Sequence, residues 1–409
     1  MYQYIGKLRV PGTGDWVRNE PLFRAWVEKN DNPLLWVSGT PGCGKSFIAQ
    51  NIIAYLRERF PQCDATESNH TSVGYFFFRH NDPETRKFHC ALRNIAFQIY
   101  QNDPSYRDYV HAHCHSTDNI KPIHAAWRVL FMDYYHNARG NVEGNVILVL
   151  NGVDEAFEED CREFLRLASD IVHDPVKPRL KAVLLGRPDI YNDLVEAFEQ
   201  PVPTIHIIAN KNIGDITTYV KKGIRKSRQM SRIPKTLRLK IEETLISKAE
   251  GMFLWVDLML TELNGKTKAG SMLESLHKAP KGLDAMLRHV LETFSTRLSE
   301  EEAIDLNIIL AWVSCADRPL TLEKLSEILH FERDTHDERL ALEDALPGWG
   351  RQAFDQSQND QSAENSDSSS EQESGFNSDI YWTTVTFCHA SIRDYLRNPD
   401  YGKVSGGDG

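Results

Sequence analysis

Cysteine is scarce in this chain and follows no pairing pattern: 409 residues hold seven, an odd count, with no C-x-x-C pair. A disulfide framework and an obvious zinc site are therefore excluded as organising features, and a reducing, cytoplasmic compartment is the expectation. Long apolar runs are missing as well. Val146 to Leu150 and Gly251 to Leu260 are among the longest, far short of the roughly 20 residues needed to span a bilayer, so no stable membrane insertion is expected. The first residues lack the basic-then-apolar pattern of a secretory leader. Positive charge is in deficit, 47 Lys and Arg against 58 Asp and Glu. The resulting net charge of −11 repels phosphate backbones overall, so nucleic acid is not an expected partner. No repeat of solenoid period recurs. What is present, 41% hydrophobic and 26% charged residues over a length too great for one core, describes a globular chain of two or three domains.

The ordered elements come in two styles. Leu34-Leu35-Trp36-Val37-Ser38 is a short apolar run that stops at glycine, the profile of a buried parallel strand. Further strands are expected at Val73–Phe78, Val146–Leu150, Lys181–Leu185 and Thr204–Ile208. Helical patterns separate them at Lys45–Phe60, Arg86–Gln101, Ala125–Asn137, Cys161–His173 and Ile190–Glu199. That alternation predicts an α/β fold, a parallel sheet with right-handed crossovers flanked by helices. After Ile208 the strands stop. Asp215 to Leu263 reads as two or three helices, Leu283 to Leu298 as another, and Glu301–Val313 and Leu322–Leu329 as short amphipathic helices. Asp355 to Asp379 is rich in Ser, Asn, Gln and acidic residues and predicts a disordered loop. A β-prone run, Tyr381 to Phe387, and a last helix, Ser391–Leu396, follow it.

Gly39-Thr40-Pro41-Gly42-Cys43-Gly44-Lys45-Ser46 matches G-x-x-x-x-G-K-[ST] at every defined position. Glycines let such a loop wrap phosphates with inward-pointing N–H groups, and the helix that follows, through Phe47, adds its positive end. In this pattern Lys45 reaches the β- and γ-phosphates and the Ser46 hydroxyl ligates Mg²⁺, with ATP or ADP as the nucleotide. Cys43 reads as a small filler of the loop. A second element, Val146-Ile147-Leu148-Val149-Leu150-Asn151-Gly152-Val153-Asp154-Glu155, is a buried strand ending in acid, which is how phosphate-loop proteins place metal-organising and water-polarising carboxylates. The strand at Lys181–Leu185 ends in Gly186-Arg187-Pro188. An arginine at a strand's carboxyl end can meet a γ-phosphate or make a surface ion pair.

Two weaker signals remain. His111-Ala112-His113-Cys114-His115 would put His111 and His115 on one helical face, but no second ligand pair supports a metal, so a polar helix face is the expectation. The basic run from Lys221 to Lys240 reads as a solvated helical surface, with anionic lipid or an acidic partner segment, including residues 355–379, as the alternative.

In order along the chain, the lead-in "PGTGDWVRNEPLFRAWVEKNDNPLLWVSGTPGCGKS", then "YFFFRHNDPETRK", "VILVLNGVDEA" and "VLLGRPDI" resemble a NACHT module of the fungal NLR-like kind, within the STAND class of signalling ATPases. "DITTYV", "GMFLWVDLMLTEL" and "PKGLDAML" are similar to its helical part. "ILAWVSCADRPLTLEKLSEIL" and "VTFCHASIRDYL" resemble its winged helix and closing F-x-H-x-S motif. The resemblance implies a lead-in over 1–30, a nucleotide domain over 31–210, a helical domain over 211–280, a winged helix over 281–397 and a tail over 398–409. It also implies a resting ADP state, opening on exchange for ATP, and self-association that brings effector proteins together in innate-immune signalling. Position by position it makes Lys45 and Ser46 phosphate and Mg²⁺ ligands, Arg187 a γ-phosphate sensor and His389 a contact to the β-phosphate of ADP. Asp154 and Glu155 become the water-polarising pair. One position departs from the pattern: Asn151 stands where the family carries aspartate, and an amide lacks the charge that anchors Mg²⁺. Binding is thus expected to outlast hydrolysis, and the chain to be at most a slow NTPase. No effector domain before residue 10 and no sensor repeats after residue 400 are legible, so the expectation is a fragment, a short gene product or a regulator of larger relatives. A conventional ATPase and a nucleotide-bound scaffold are the rival readings.

Overall fold

The computed structural model describes residues 1–29, 32–61, 70–136, 144–173, 179–295, 298–333, 354–358, 383–387 and 390–398. They fall into two compact units, Met1–Leu276 and His277–Gly409.

The first unit is built on a five-stranded parallel sheet of order β2-β3-β4-β1-β5. Its strands are β1 (Leu34–Gly39), β2 (Thr71–Phe77), β3 (Asn145–Asn151), β4 (Leu180–Gly186) and β5 (Thr204–Ile207). Every residue of β1 and β4 is buried, which requires cover on both faces. The two-residue period of a strand divides that apolar content: Leu34 and Trp36 enter one core while Leu35 and Val37 enter the other. On the Leu35 side lie α1 (Tyr2–Leu8), α2 (Pro21–Glu28) and α3 (Lys45–Arg59), contributing Ile5, Phe23, Trp26, Ile48 and Ile52. The Trp36 side holds α4 (Phe88–Asn102), α5 (Pro104–His113), α6 (Ile123–Trp127), α7 (Glu158–His173) and α8 (Tyr191–Phe198). Truncating a fully buried ring such as Trp36 or Phe88 to alanine would cost about 3–5 kcal/mol.

Three polar devices hold this core in register. Lys181, buried on β4, donates to the carbonyls of Trp26 at 3.0 Å and Lys29 at 2.8 Å, so a cation closes the negative end of α2. Asn51 on α3 is fully buried. It donates to Thr13 O and Asp15 and accepts from Arg18, which fastens the lead-in onto the helix after the glycine-rich turn. After α6 the chain winds as a π-helix over Arg128–His136. The Tyr109 and Tyr106 hydroxyls each donate at 2.8 Å to the carbonyls of Val129 and Leu130, competing with the ordinary helical ladder.

Beyond β5 come α9 (Ala209–Lys226), α10 (Lys235–Ala249) and α11 (Phe253–Asn264), then α12 (Ala269–Lys278) across the boundary between the units. The basic run lies on α9, α10 and the segment between them. Lys221 pairs with Glu242 at 3.5 Å, and Lys221, Lys222, Arg225 and Lys226 line a cavity of about 390 Å³ with Val10 and Thr218.

The second unit contains α13 (Leu283–Ser295), α14 (Glu300–Cys315), α15 (Leu322–Arg333) and α16 (Ala390–Arg397). With them is an antiparallel sheet of order β6-β8-β7, from β6 (Leu320–Thr321), β7 (Phe354–Gln358) and β8 (Thr383–Phe387). Ser299 and Glu302 close the start of α14 with a capping box, and buried Arg393 holds Ser314 O and Ala316 O at its end, both at 2.7 Å. Two expectations are corrected. The stretch expected to be disordered from Asp355 begins as a strand, because β8 offers its backbone a pairing edge across Phe354–Gln358; residues 359–379 lie outside the described residues. His111 and His115 do not share a helical face, because α5 ends at His113. His111 instead bonds the Tyr100 hydroxyl at 2.8 Å, and no group of metal-ligating side chains occurs among the described residues. Among the same residues no helix is long and apolar enough to cross a membrane.

Candidate phosphate site

The sheet order places β4 between β1 and β3, so the loops leaving all three strands open at one edge. Gly39 ends β1, Thr40 to Gly44 form the turn, and Lys45 opens α3. Gly42 and Gly44 have φ of +74° and +94°, conformations that side chains rarely adopt, and this is why glycine is needed at both. Helix geometry leaves the first N–H groups of α3 without intrahelical acceptors, so the turn presents donors where an anion would sit. The Lys45 ammonium lies over the same turn, donating to Gly39 O at 2.8 Å and Thr40 O at 3.2 Å. Pro41 and Phe47 flank these groups on the turn and the helix. Cys43 is buried, and burial pushes its thiol up against the opposing pull of Lys45, which disfavours the thiolate.

Ser46 meets the end of β3: the Asn151 amide donates to its hydroxyl at 3.3 Å. The other end of that amide, Oδ1, is buried with no hydrogen-bond partner among the described residues. Past Gly152 a short 3-10 turn, Val153–Glu155, presents the two acids. Asp154 faces β4, where Arg187 holds it twice, through Nε at 2.9 Å and through its backbone N–H at 3.2 Å. Burial pushes the Asp154 carboxyl upward while Lys45 and Arg187 oppose it. Burial and the charge of Asp154 lift the Glu155 carboxyl to about 7, against the His80 N–H, Arg187 and Lys45. A carboxyl poised there can take or give a proton near neutrality.

Lys45, Ser46, Asn151, Asp154, Glu155 and Arg187, drawn from three strand ends, are thus brought to one edge of the sheet. His389 lies outside the described residues. Three contributors were given no site role by the sequence. The His80 backbone N–H donates to Glu155 at 2.9 Å, Arg86 donates to Glu155 O at 3.2 Å, and Asp160 accepts from Phe88 N at 3.0 Å. The first two tie the "HNDPETRK" segment to the acidic turn, and the third ties the start of α4 to α7.

A family model described as Nephrocystin 3, N-terminal, matches residues 12–187. The chain is similar to the vegetative incompatibility protein HET-E-1 of Podospora anserina, with 23% identity over 335 residues, 81% of this chain. It spans 24% of that relative's length. Among solved structures it is similar to a Walker-type ATPase of Pyrococcus abyssi, with TM-score 0.40, 13% identity and 95% and 97% of the two chains covered. Another is the ADP form of the Aeropyrum pernix ORC2 protein, with TM-score 0.39, 14% identity and 87% and 90% covered. The two sequence matches support the resemblance carried by the motifs.

Proposed function

Taking a NACHT-like P-loop protein of the STAND class as the premise, we propose that this chain is a nucleotide-dependent switch that holds ADP at rest and exchanges it for ATP. The observation that carries the reading is Asn151, whose amide sits against Ser46 where a carboxylate would anchor the metal and favour turnover. Phosphate-holding groups are complete on the β1–α3 side, while the charge that promotes hydrolysis is reduced at the end of β3. A site so built retains nucleotide far longer than it consumes it.

The donors suit Mg²⁺ held chiefly by the nucleotide. Ser46 would supply a hydroxyl, and the buried, unpartnered Oδ1 of Asn151 would hold a metal-bound water. When bound, the ion neutralises phosphate charge. Lys45 would bind the β- and γ-phosphates, Arg187 would report the γ-phosphate, and Asp154 with Glu155 would orient water for a slow hydrolysis. The second unit is read as the winged helix that couples nucleotide state to self-association, in a cytoplasmic, NLR-like signalling role.

Denaturing freshly purified protein and chromatographing what is released tests the proposal. ADP near one per chain is expected, with Lys45→Ala empty; no nucleotide from wild type, and no rise in Tm on adding ADP, would sink it. A scaffold is the second reading, because Asn151 also suits a permanently held nucleotide. Light scattering separates the two: a switch self-associates with ATP and not ADP, and His389→Leu raises both ADP release and the associated fraction. A scaffold answers both nucleotides alike.

A further inference from the structure

The carbonyls of the phosphate turn are held from outside by the helical segment that follows the sheet. Asn212, in the first turn of α9, is 1% exposed and donates to Cys43 O at 2.9 Å and Gly251 O at 3.1 Å. Both amide hydrogens are thereby used, and since both acceptors are carbonyls, the orientation of the amide is fixed. Its Oδ1 is left buried with no partner among the described residues. The orphaned Oδ1 costs stability, so the residue is accounted for by its two donors, which satisfy Cys43 O and Gly251 O.

The neighbouring contacts act in the same direction. Leu254 N donates to Gly42 O at 3.3 Å. A β-carbon on Gly42 would stand 2.8 Å from Leu254, and one on Gly44 would stand 3.2 Å from the Phe253 ring. Gly251, with φ +83° and Ala209 Cα 2.7 Å from any β-carbon, completes a left-handed pair with Glu250 that brings its carbonyl to Asn212. In a planar trans peptide the C=O and the following N–H point in opposite directions. Holding Cys43 O toward Asn212 therefore turns the Gly44 N–H to the side away from Asn212.

We propose that Asn212 is a positioning residue for the phosphate loop: by pinning the Cys43 carbonyl outward, it aims the Gly44 N–H at the bound phosphate and couples α9 and α11 to loop geometry. The consequence for affinity rests on the reading of this loop as a nucleotide site; the pinning itself does not. Asn212→Leu keeps the branched shape and removes both donors, and Asn212→Ser keeps one hydroxyl donor as a graded, smaller variant.

Two measurements separate the outcomes. Hydrogen exchange without nucleotide should be at least tenfold faster across residues 43–48 in the Leu variant, with β1 and β4 unchanged, and intermediate in the Ser variant. Equal protection at 43–48 in wild type and both variants overturns the proposal. Titration with fluorescently labelled ADP well below Tm should show about tenfold weaker binding for the Leu variant, through faster release, with Ser between. A purely structural role would lower Tm while leaving the affinity of the folded molecules untouched, which also overturns it. If wild type takes up no labelled ADP yet exchange at 43–48 responds to Asn212, the nucleotide reading fails and the pinning stands.

Discussion

The two sides of the phosphate site are built to different standards. On the β1–α3 side each group that the proposed phosphate site calls for is present: two left-handed glycines, the N–H groups of a helix start, the ammonium of Lys45 and the hydroxyl of Ser46. At the end of β3 an amide faces that hydroxyl, Asp154 is engaged by Arg187, and Glu155 is held near neutrality. Holding a phosphate needs fixed donors, whereas breaking its bond needs charge placed where the transition state develops. On the proposed reading one side is complete while the other is weakened, and retention would separate from turnover.

The sharpest way to break that contrast is to restore the charge. Asn151→Asp should raise ATP hydrolysis by about two to three orders of magnitude, the usual worth of one transition-state group, with ADP affinity changed far less. Phosphate release under single-turnover conditions reads it, and an unchanged rate would show that Asn151 does not limit chemistry. Next in size, Lys45→Ala on the intact side should weaken ADP on the order of 100-fold, the loss of a charge-assisted contact. Equilibrium titration checks this.

A smaller effect tests the weakened side through pH. Glu155 is lifted from 4.5 to about 7 in the folded chain, so the unfolded chain binds fewer protons between those values. Stability from this group is thus greatest in acid and falls as pH rises toward 7, by about 3 kcal/mol at 1.36 kcal/mol per pKa unit. Glu155→Gln should flatten this slope and raise Tm above pH 7; melting curves at pH 5 and 8 that keep the wild-type difference would contradict the burial account. The smallest effect lies away from the site. The Asp103 hydrogen bond raises the His70 pKa, burial opposing it, and their side chains meet at 2.7 Å. The pair stabilises fully below pH 6.5, and the contribution is lost as pH rises through the folded value. It is expected to be worth on the order of 1 kcal/mol at this partly buried histidine. Asp103→Asn, which can still accept from Tyr106 N, should return the His70 titration followed by NMR to its ordinary range.

Much of this was legible in one dimension, for a physical reason. A doubly covered strand must be apolar throughout, and a glycine-rich turn before Lys-Ser allows few alternatives, so β1, β3, β4 and the turn between Gly39 and Ser46 could be read from residue type and spacing. The substitution at Asn151 was legible in the same way, against the family pattern. Long-range partners were not. Asn212 was one polar residue at the start of an amphipathic helix, and nothing local marks it as the amide that holds Cys43 O from 169 positions away. Lys181 was legible as part of a strand, and nothing local showed that it also closes α2 across 152 residues. Arg187 was open between a γ-phosphate contact and an ion pair, and the sheet order brought it to Asp154. Asp355–Gln358 had the composition of a loop and became part of a strand because β8 supplied the hydrogen bonds. Sequence alone determined which local conformations the backbone can take and which faces must be buried, since sterics and apolar spacing act between near neighbours. Only the tertiary structure decided which buried polar groups satisfy one another, because a hydrogen bond is made by proximity in space and leaves no period along the chain.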